Sequence, residues 1–244
     1  DFLSMAQANI TSETISGDFV LKVKGVEYPM VFVEGGSFMM GSDDSDADSD
    51  EKPVHEVTLS SYSIGKYEVT QELWEAVMRS NPSRFKGPRK PVECVSWNDC
   101  QEFIRKLNDL TGMNFKLPTE AQWEFAARGG NKSRGYKYSG SDTIDDVGWY
   151  EENSGGMTHE VGTKSPNELG LYDMTGNVWE LCSDRFGSYP SSSQTDPSGP
   201  GDGSNRVTRG GLWKFDARSC RVSYRDFVSS PDGRANVQGF RLCL

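Results

Sequence analysis

From Asp18 onward the stretch DFVLKVKGVEYPMVFVEGGSFMMGS alternates apolar and polar residues. A period of two places alternate side chains on opposite faces, so it predicts two strands with a turn between them and a second turn at Gly35-Gly36. HEVTLSSYSIGKYEVT, beginning at His55, predicts further strands. The period then changes. Thr70 caps a helix over QELWEAVMRSN, with Glu72 and Glu75 in its first turns, where the partial positive charge of a helix N-terminus favours them. SWNDCQEFIRKLNDLTG predicts a second helix capped by Ser96 or Asn98, with Phe103, Leu107 and Leu110 along one face and Gly112 as its stop. In FKLPTEAQWEFAARGG, Thr119 caps a third helix that Gly129 ends, and Trp123, Phe125 and Ala127 read as core. Beyond Gly130 helical periodicity disappears, and short strands are expected among Gly, Ser, Asp and Pro. Residues 1–16 read as a polar, flexible leader and 17–244 as one domain, with no internal repeat and no linker.

Composition narrows what such a domain does. The 244 residues suffice for a sizeable core, but only 35 % are hydrophobic, with 26 glycines and six tryptophans. That mixture suits a loop-rich domain leaning on large aromatics. A net charge of −10 argues against nucleic acid, whose phosphates are held by clustered Lys and Arg. No apolar run is long enough to span a bilayer. The acidic run DDSDADSDEKP, Asp43 to Pro53, lacks the spacing of an EF-hand loop and reads as a solvated loop. The five cysteines (Cys94, Cys100, Cys182, Cys220 and Cys243) form no CxxC pair, and only His55 and His159 could join them, so a zinc site is not expected. The odd count leaves at least one free thiol unless chains cross-link.

Seven ordered blocks carry a family resemblance: VEGGSFMMGS, KYEVTQELWEAV, PVECVSWNDCQEF, KLPTEAQWEFAARGG, NELGLYDMTGNVWELCSD, RVTRGGLWKFDARSCRVSYR and GFRLCL. Together they resemble the formylglycine-generating enzymes, the sulfatase-modifying-factor domain family, over residues 28–244. The resemblance implies a single irregular α+β domain, distantly like a C-type lectin. It implies a Ca2+ site on DMTGNVWE, with carboxylates from Asp173 and Glu180 and carbonyls from Gly176 and Val178. A tight turn through Gly176 could aim such oxygens at one hard cation. Without a cation, Asp173 would start a turn and Glu180 would make a salt bridge.

In the enzymes of this family, a copper(I) ion held by two cysteines activates oxygen to oxidise a sulfatase cysteine. Aligned from Gly210-Gly211, the second of those cysteines falls on Cys220. The first falls on Phe215, and an active-site serine falls on Leu212. One thiolate cannot make a two-thiolate site, so copper is not expected. Cys182, just after GNVWEL, would lie near the family's groove, where it could be inert packing, a disulfide with Cys220 or part of a rebuilt metal site.

The same fold carries the variable proteins of diversity-generating retroelements, which present ligand contacts on its C-terminal part. The matching stretch is 212–238. Trp213, Lys214, Phe215, Asp216, Asp226, Phe227 and Asn236 are its candidate contact residues for a protein or glycan ligand. Rigid aromatics beside small polar groups suit such a surface, because they bring area at low entropy cost. A ligand-binding or display protein is the first expectation, and a formylglycine-generating oxidase or an altered relative the alternative. Cys100 lies one helical turn from a family cysteine bonded near the GFR block. The resemblance thus implies a Cys100–Cys243 disulfide and an extracytoplasmic location.

Overall fold

A computed structural model describes residues 16–244; the leader expected at 1–16 lies, but for Ser16, outside the described residues. The alternating N-terminal pattern forms β1 (Phe19–Val23), β2 (Val26–Val33) and β3 (Gly36–Met40). A left-handed Lys24-Gly25 turn folds β1 antiparallel onto β2. β4 (His55–Leu59) and β5 (Tyr62–Gly65) follow. β3 pairs with β4, and β2 with β5, both antiparallel.

Three helices come next: α1 (Gln71–Met78), α2 (Trp97–Thr111) and α3 (Glu120–Ala127). Each has the expected oxygen cap, from Thr70, Ser96 and Thr119, accepting the N–H three residues on. For α2 the cap is Ser96, not Asn98, and Asp99 reciprocates by accepting the Ser96 N–H. α1 ends three residues earlier than the pattern suggests, because Arg79 turns left-handed at φ 63°. Leu110, expected on the buried face of α2, is 48 % exposed. Cys100, Phe103, Ile104 and Leu107 complete the buried stripe without it.

A one-turn helix α4 (Ile144–Val147) precedes β6 (Trp179–Arg185), β7 (Gln194–Thr195), β8 (Arg206–Arg209), β9 (Arg225–Val228) and β10 (Gln238–Gly239). The C-terminal sheet runs β10-β6-β8-β9, and β7 adds to β3-β4. The chain end is stitched inward: Ser63 and Gly65 donate to the Leu244 and Leu242 carbonyls, and Lys116 and Cys243 exchange backbone bonds. Among the described residues, no helix is long and apolar enough to cross a membrane.

The acidic run at 43–53 departs from the solvated loop expected of it. Glu51 is fully buried and receives two hydrogen bonds from Arg221 (2.7 and 2.8 Å). Asp46 accepts from Lys137, and Asp48 from Arg218. The basic partners lie about 90 to 175 residues away, so the sequence pattern displays the charges without their counterparts.

Candidate functional site

The strip Arg209–Cys220 leaves β8 through two left-handed glycines, Gly210 at φ 96° and Gly211 at φ 72°. A side chain at Gly211 would collide with the Cys220 sulfur and come within 2.8 Å of the Ser219 carbonyl oxygen. Glycine is needed there for both the backbone conformation and the close approach. The Trp213 N–H then donates to the Asn177 carbonyl, and the Glu151 N–H to the Phe215 carbonyl. Asp216 caps a 3-10 turn over Ala217–Cys220 by accepting from Ser219.

This path sorts the predicted residues. Leu212 and Cys220 are fully buried, and burial pushes the Cys220 thiol up to about 12. Trp213 and Phe215 are half-buried, while Lys214 and Asp216 are exposed. The Trp213 indole donates to the Asn236 carbonyl at 3.0 Å, with Phe85 edge-on to it at 5.5 Å. Phe215 stands perpendicular to Trp179, ring centroids 5.2 Å apart. Trp213, Asn236 and Phe85 thus form one surface strip, which Phe215 and Trp179 extend along the same backbone: the Trp179 N–H bonds the Val237 carbonyl, next to Asn236.

Asp226 and Phe227 lie apart from these contacts, on β9. Phe227 is 40 % exposed and packs on Phe186 at 4.8 Å, and burial raises the Asp226 carboxyl. The candidate surface therefore falls into two patches.

Phe85 and Trp179 were missed in the sequence. Phe85 sits in the loop NPSRFKGPRK, where a lone aromatic among Pro, Gly and basic residues was the available signal. Gln71 of α1 organises that loop. Its amide donates to the Phe85 and Pro91 carbonyls, and its oxygen accepts from Asn81 and Gly87.

The cysteines do not assemble a redox centre. All five are free thiols, so neither the Cys100–Cys243 bridge nor a Cys182–Cys220 bridge is formed. Cys100 packs in the core beneath α1 and α2, whereas Cys243 and Cys182 belong to the core around α3. Cys220 lies in a third cluster with Tyr138, Ile144 and Tyr150. Burial also drives the Cys182 thiol well above its ordinary range. Two thiolates on one copper(I) are not available from this arrangement. The extracytoplasmic location loses the disulfide that suggested it.

The calcium ligands also turn out otherwise engaged. Both Glu180 oxygens accept from Arg241 (2.7 and 2.8 Å), and one accepts from the Trp123 indole as well. Asp173, left-handed at φ 59°, turns the chain, and one of its oxygens accepts the Gly162 N–H. Its other oxygen is buried without a partner among the described residues. These residues do not fit calcium as arranged, because the cation would have to displace Arg241 from Glu180. Burial lifts Asp173 to about 6, and burial followed by the Asp173 and Glu180 charges lifts the neighbouring Glu68 well above its usual range.

The model of the sulfatase-modifying factor enzyme 1-like domain matches residues 21–244. The chain belongs to this family. It is 34 % identical to the chaperone protein LppX of Paenibacillus barcinonensis, covering 87 % of this chain and 88 % of that one. It is 29 % identical to the formylglycine-generating enzyme of Thermomonospora curvata, over 87 % and 92 % of the two chains. Among solved structures, Treponema denticola variable protein 1 superimposes with a TM-score of 0.86 at 35 % identity, covering 93 % of this chain and 98 % of its own. The irregular α+β domain expected from the sequence is thus the family fold.

Proposed function

We propose that this family member is a non-catalytic ligand-binding protein of the variable-protein kind, presenting residues 212–238 to a protein or glycan. The observation that carries the reading is the state of the three reactive positions. Leu212 is core, Phe215 packs on Trp179, and Cys220 is sealed behind Gly211 with its proton retained. A phenyl ring supplies neither a copper ligand nor a nucleophile, and a thiol held up near pH 12 is a poor source of thiolate at neutral pH. The high structural similarity to a variable protein supports the reading from a second side.

The test is direct. Purified protein is incubated with copper(I), oxygen and a peptide carrying a CxPxR sequence, and formylglycine is measured by mass spectrometry. No conversion above the protein-free background is expected, and Cys220→Ser should change nothing. Conversion at an ordinary enzymatic rate would establish the oxidase reading instead. The variable-protein part has its own check: a near-repeat of the coding segment for 212–238 beside a reverse-transcriptase gene.

A further inference from the structure

A cavity of about 300 Å3 opens between β4, the start of α3 and the loop 187–200. Of the 212–238 segment only Arg225 lines it, so it is separate from the surface proposed above. Its polar wall is unusual in what remains unspent. Arg225 gives four N–H groups, two to Glu120 and one each to the Asp50 and Gly187 carbonyls. Arg209 behind it is occupied by Glu120, Glu124, Tyr189 and the Val222 and Tyr224 carbonyls. All five Arg209 donors and four of the five on Arg225 are therefore committed.

Two acceptors are not. Asp184 is only 4 % exposed and lines the cavity. Its Oδ1 accepts from the Glu120 N–H at 3.0 Å and the Ser183 hydroxyl at 3.1 Å, whereas Oδ2 has no partner among the described residues. His55 is also buried and lines the same cavity. Its Nδ1 bonds the Pro53 carbonyl at 3.0 Å. A carbonyl only accepts, so Nδ1 is the donor there, and Nε2 has no partner among the described residues. Tyr189, 4.7 Å from the His55 ring, and the prolines at 190, 197 and 200 supply apolar wall.

We infer that this cavity is a second ligand site, and that its ligand is a small organic cation, a primary ammonium on a short apolar stem. A buried carboxylate with a free oxygen, in a cavity that the His55 ring also lines, calls for a donor with positive charge, because an unpaired buried charge is costly. Acidic ligands would find all but one of the arginine donors already committed and would face the Glu120 and Asp184 carboxyls. The volume admits a ligand of a few heavy atoms, at the lower end of ordinary small-molecule sites.

The test uses the full chain at pH 7.5 and three probes of one shape: n-butylammonium, n-butanol and butyrate. Titration calorimetry should give saturable binding of butylammonium, with butanol and butyrate at least tenfold weaker. Asp184→Asn keeps an oxygen for the Glu120 N–H and should weaken butylammonium at least tenfold. Ser198→Trp, at the exposed rim, should obstruct the cavity and weaken butylammonium without touching the carboxylate. Absence of saturable butylammonium binding to the wild type overturns the inference. So does equal binding of butyrate, or of butylammonium to both variants.

Discussion

Beneath α1 and α2 the core is apolar. Trp74 lies stacked on Phe103 at 5.1 Å, and Phe240 meets both rings edge-on. Around α3 and β8–β9, charge is buried alongside the apolar side chains. Arg209 and Arg225 share Glu120, Arg209 also bonds Glu124, and Arg221 holds Glu51, all within the buried interior. The first region gains its stability from area removed from water, a non-directional effect that tolerates imperfect geometry. The second must offset the cost of dehydrating each ion by complete pairing, so it is intolerant of single losses. The difference matters for function, because the charged region holds the strip Arg209–Cys220 at both ends. A surface fastened by ion pairs to buried partners can keep its backbone while its exposed side chains change.

The sharpest way to break this comparison is the Glu51–Arg221 pair. Glu51→Leu strands a buried guanidinium and should cost about 3–5 kcal/mol in urea unfolding. Adding Arg221→Met removes the stranded charge and should recover most of that loss. Phe103→Ala in the apolar region should cost about 3–5 kcal/mol as well. It leaves a cavity that no deletion of a neighbour can repair. A double variant no more stable than Glu51→Leu alone would show that the pair is not the unit of stability here.

A smaller effect separates the regions by pH. Burial raises Asp184 to about 7 and Asp173 to about 6. An unfolded aspartate titrates near ~3.9, so between about pH 4 and pH 7 the native state binds more protons than the unfolded chain. Stability contributed by these groups therefore falls as pH rises through that window. Glu120 and Glu124 act oppositely. Burial opposes their ionisation, but arginines outweigh it, Arg209 and Arg225 for Glu120 and Arg128 and Arg209 for Glu124. Their contribution is present above an ordinary glutamate pKa near ~4.3 and is lost as pH falls below it. Wild-type protein should unfold less readily at about pH 5 than at about pH 7.5. Asp184→Asn should reduce that difference by about 2 kcal/mol. An unaltered pH profile in the variant would place Asp184 in an ordinary, solvated environment.

The same contrast explains what could be read in advance. The three helices were legible because Thr70, Ser96 and Thr119 announce them locally and their apolar residues recur at helical spacing. That leucine and phenylalanine stand at 212 and 215, where the family's enzymes have a serine and a cysteine, was legible once the family blocks had aligned the strip. The fastening of the strip was not. Glu51 and Arg221 are 170 residues apart, and nothing local marks an acidic residue in DDSDADSDEKP as buried. Asp173 and Glu180 carry the same lesson. The family resemblance suggested a metal cation there, whereas the cation that Glu180 meets is Arg241, supplied from the far end of the chain. Phe85 escaped notice because its place depends on Gln71, whose side chain shapes a loop rather than packing in a core.

The smallest expected effect probes the edge of the apolar region. Leu110 satisfies the helical spacing of α2, three residues after Leu107, yet it is 48 % exposed while Leu107 is fully buried. α2 ends at Thr111, and Gly112 turns the chain left-handed at φ 70°. The helix therefore stops before another turn can bring Leu110 over the core. Its side chain keeps much of its contact with water in the folded state, so little transfer free energy is at stake. Leu110→Gln also preserves helix propensity, since both residues are straightforward helix formers. Its unfolding free energy should stay within about 0.5 kcal/mol of wild type. Leu107→Ala, one turn earlier, should cost about 2–5 kcal/mol. Denaturant curves for the two variants give the comparison directly, and a loss at Leu110 approaching that at Leu107 would mean that the apolar core extends to the last turn of α2.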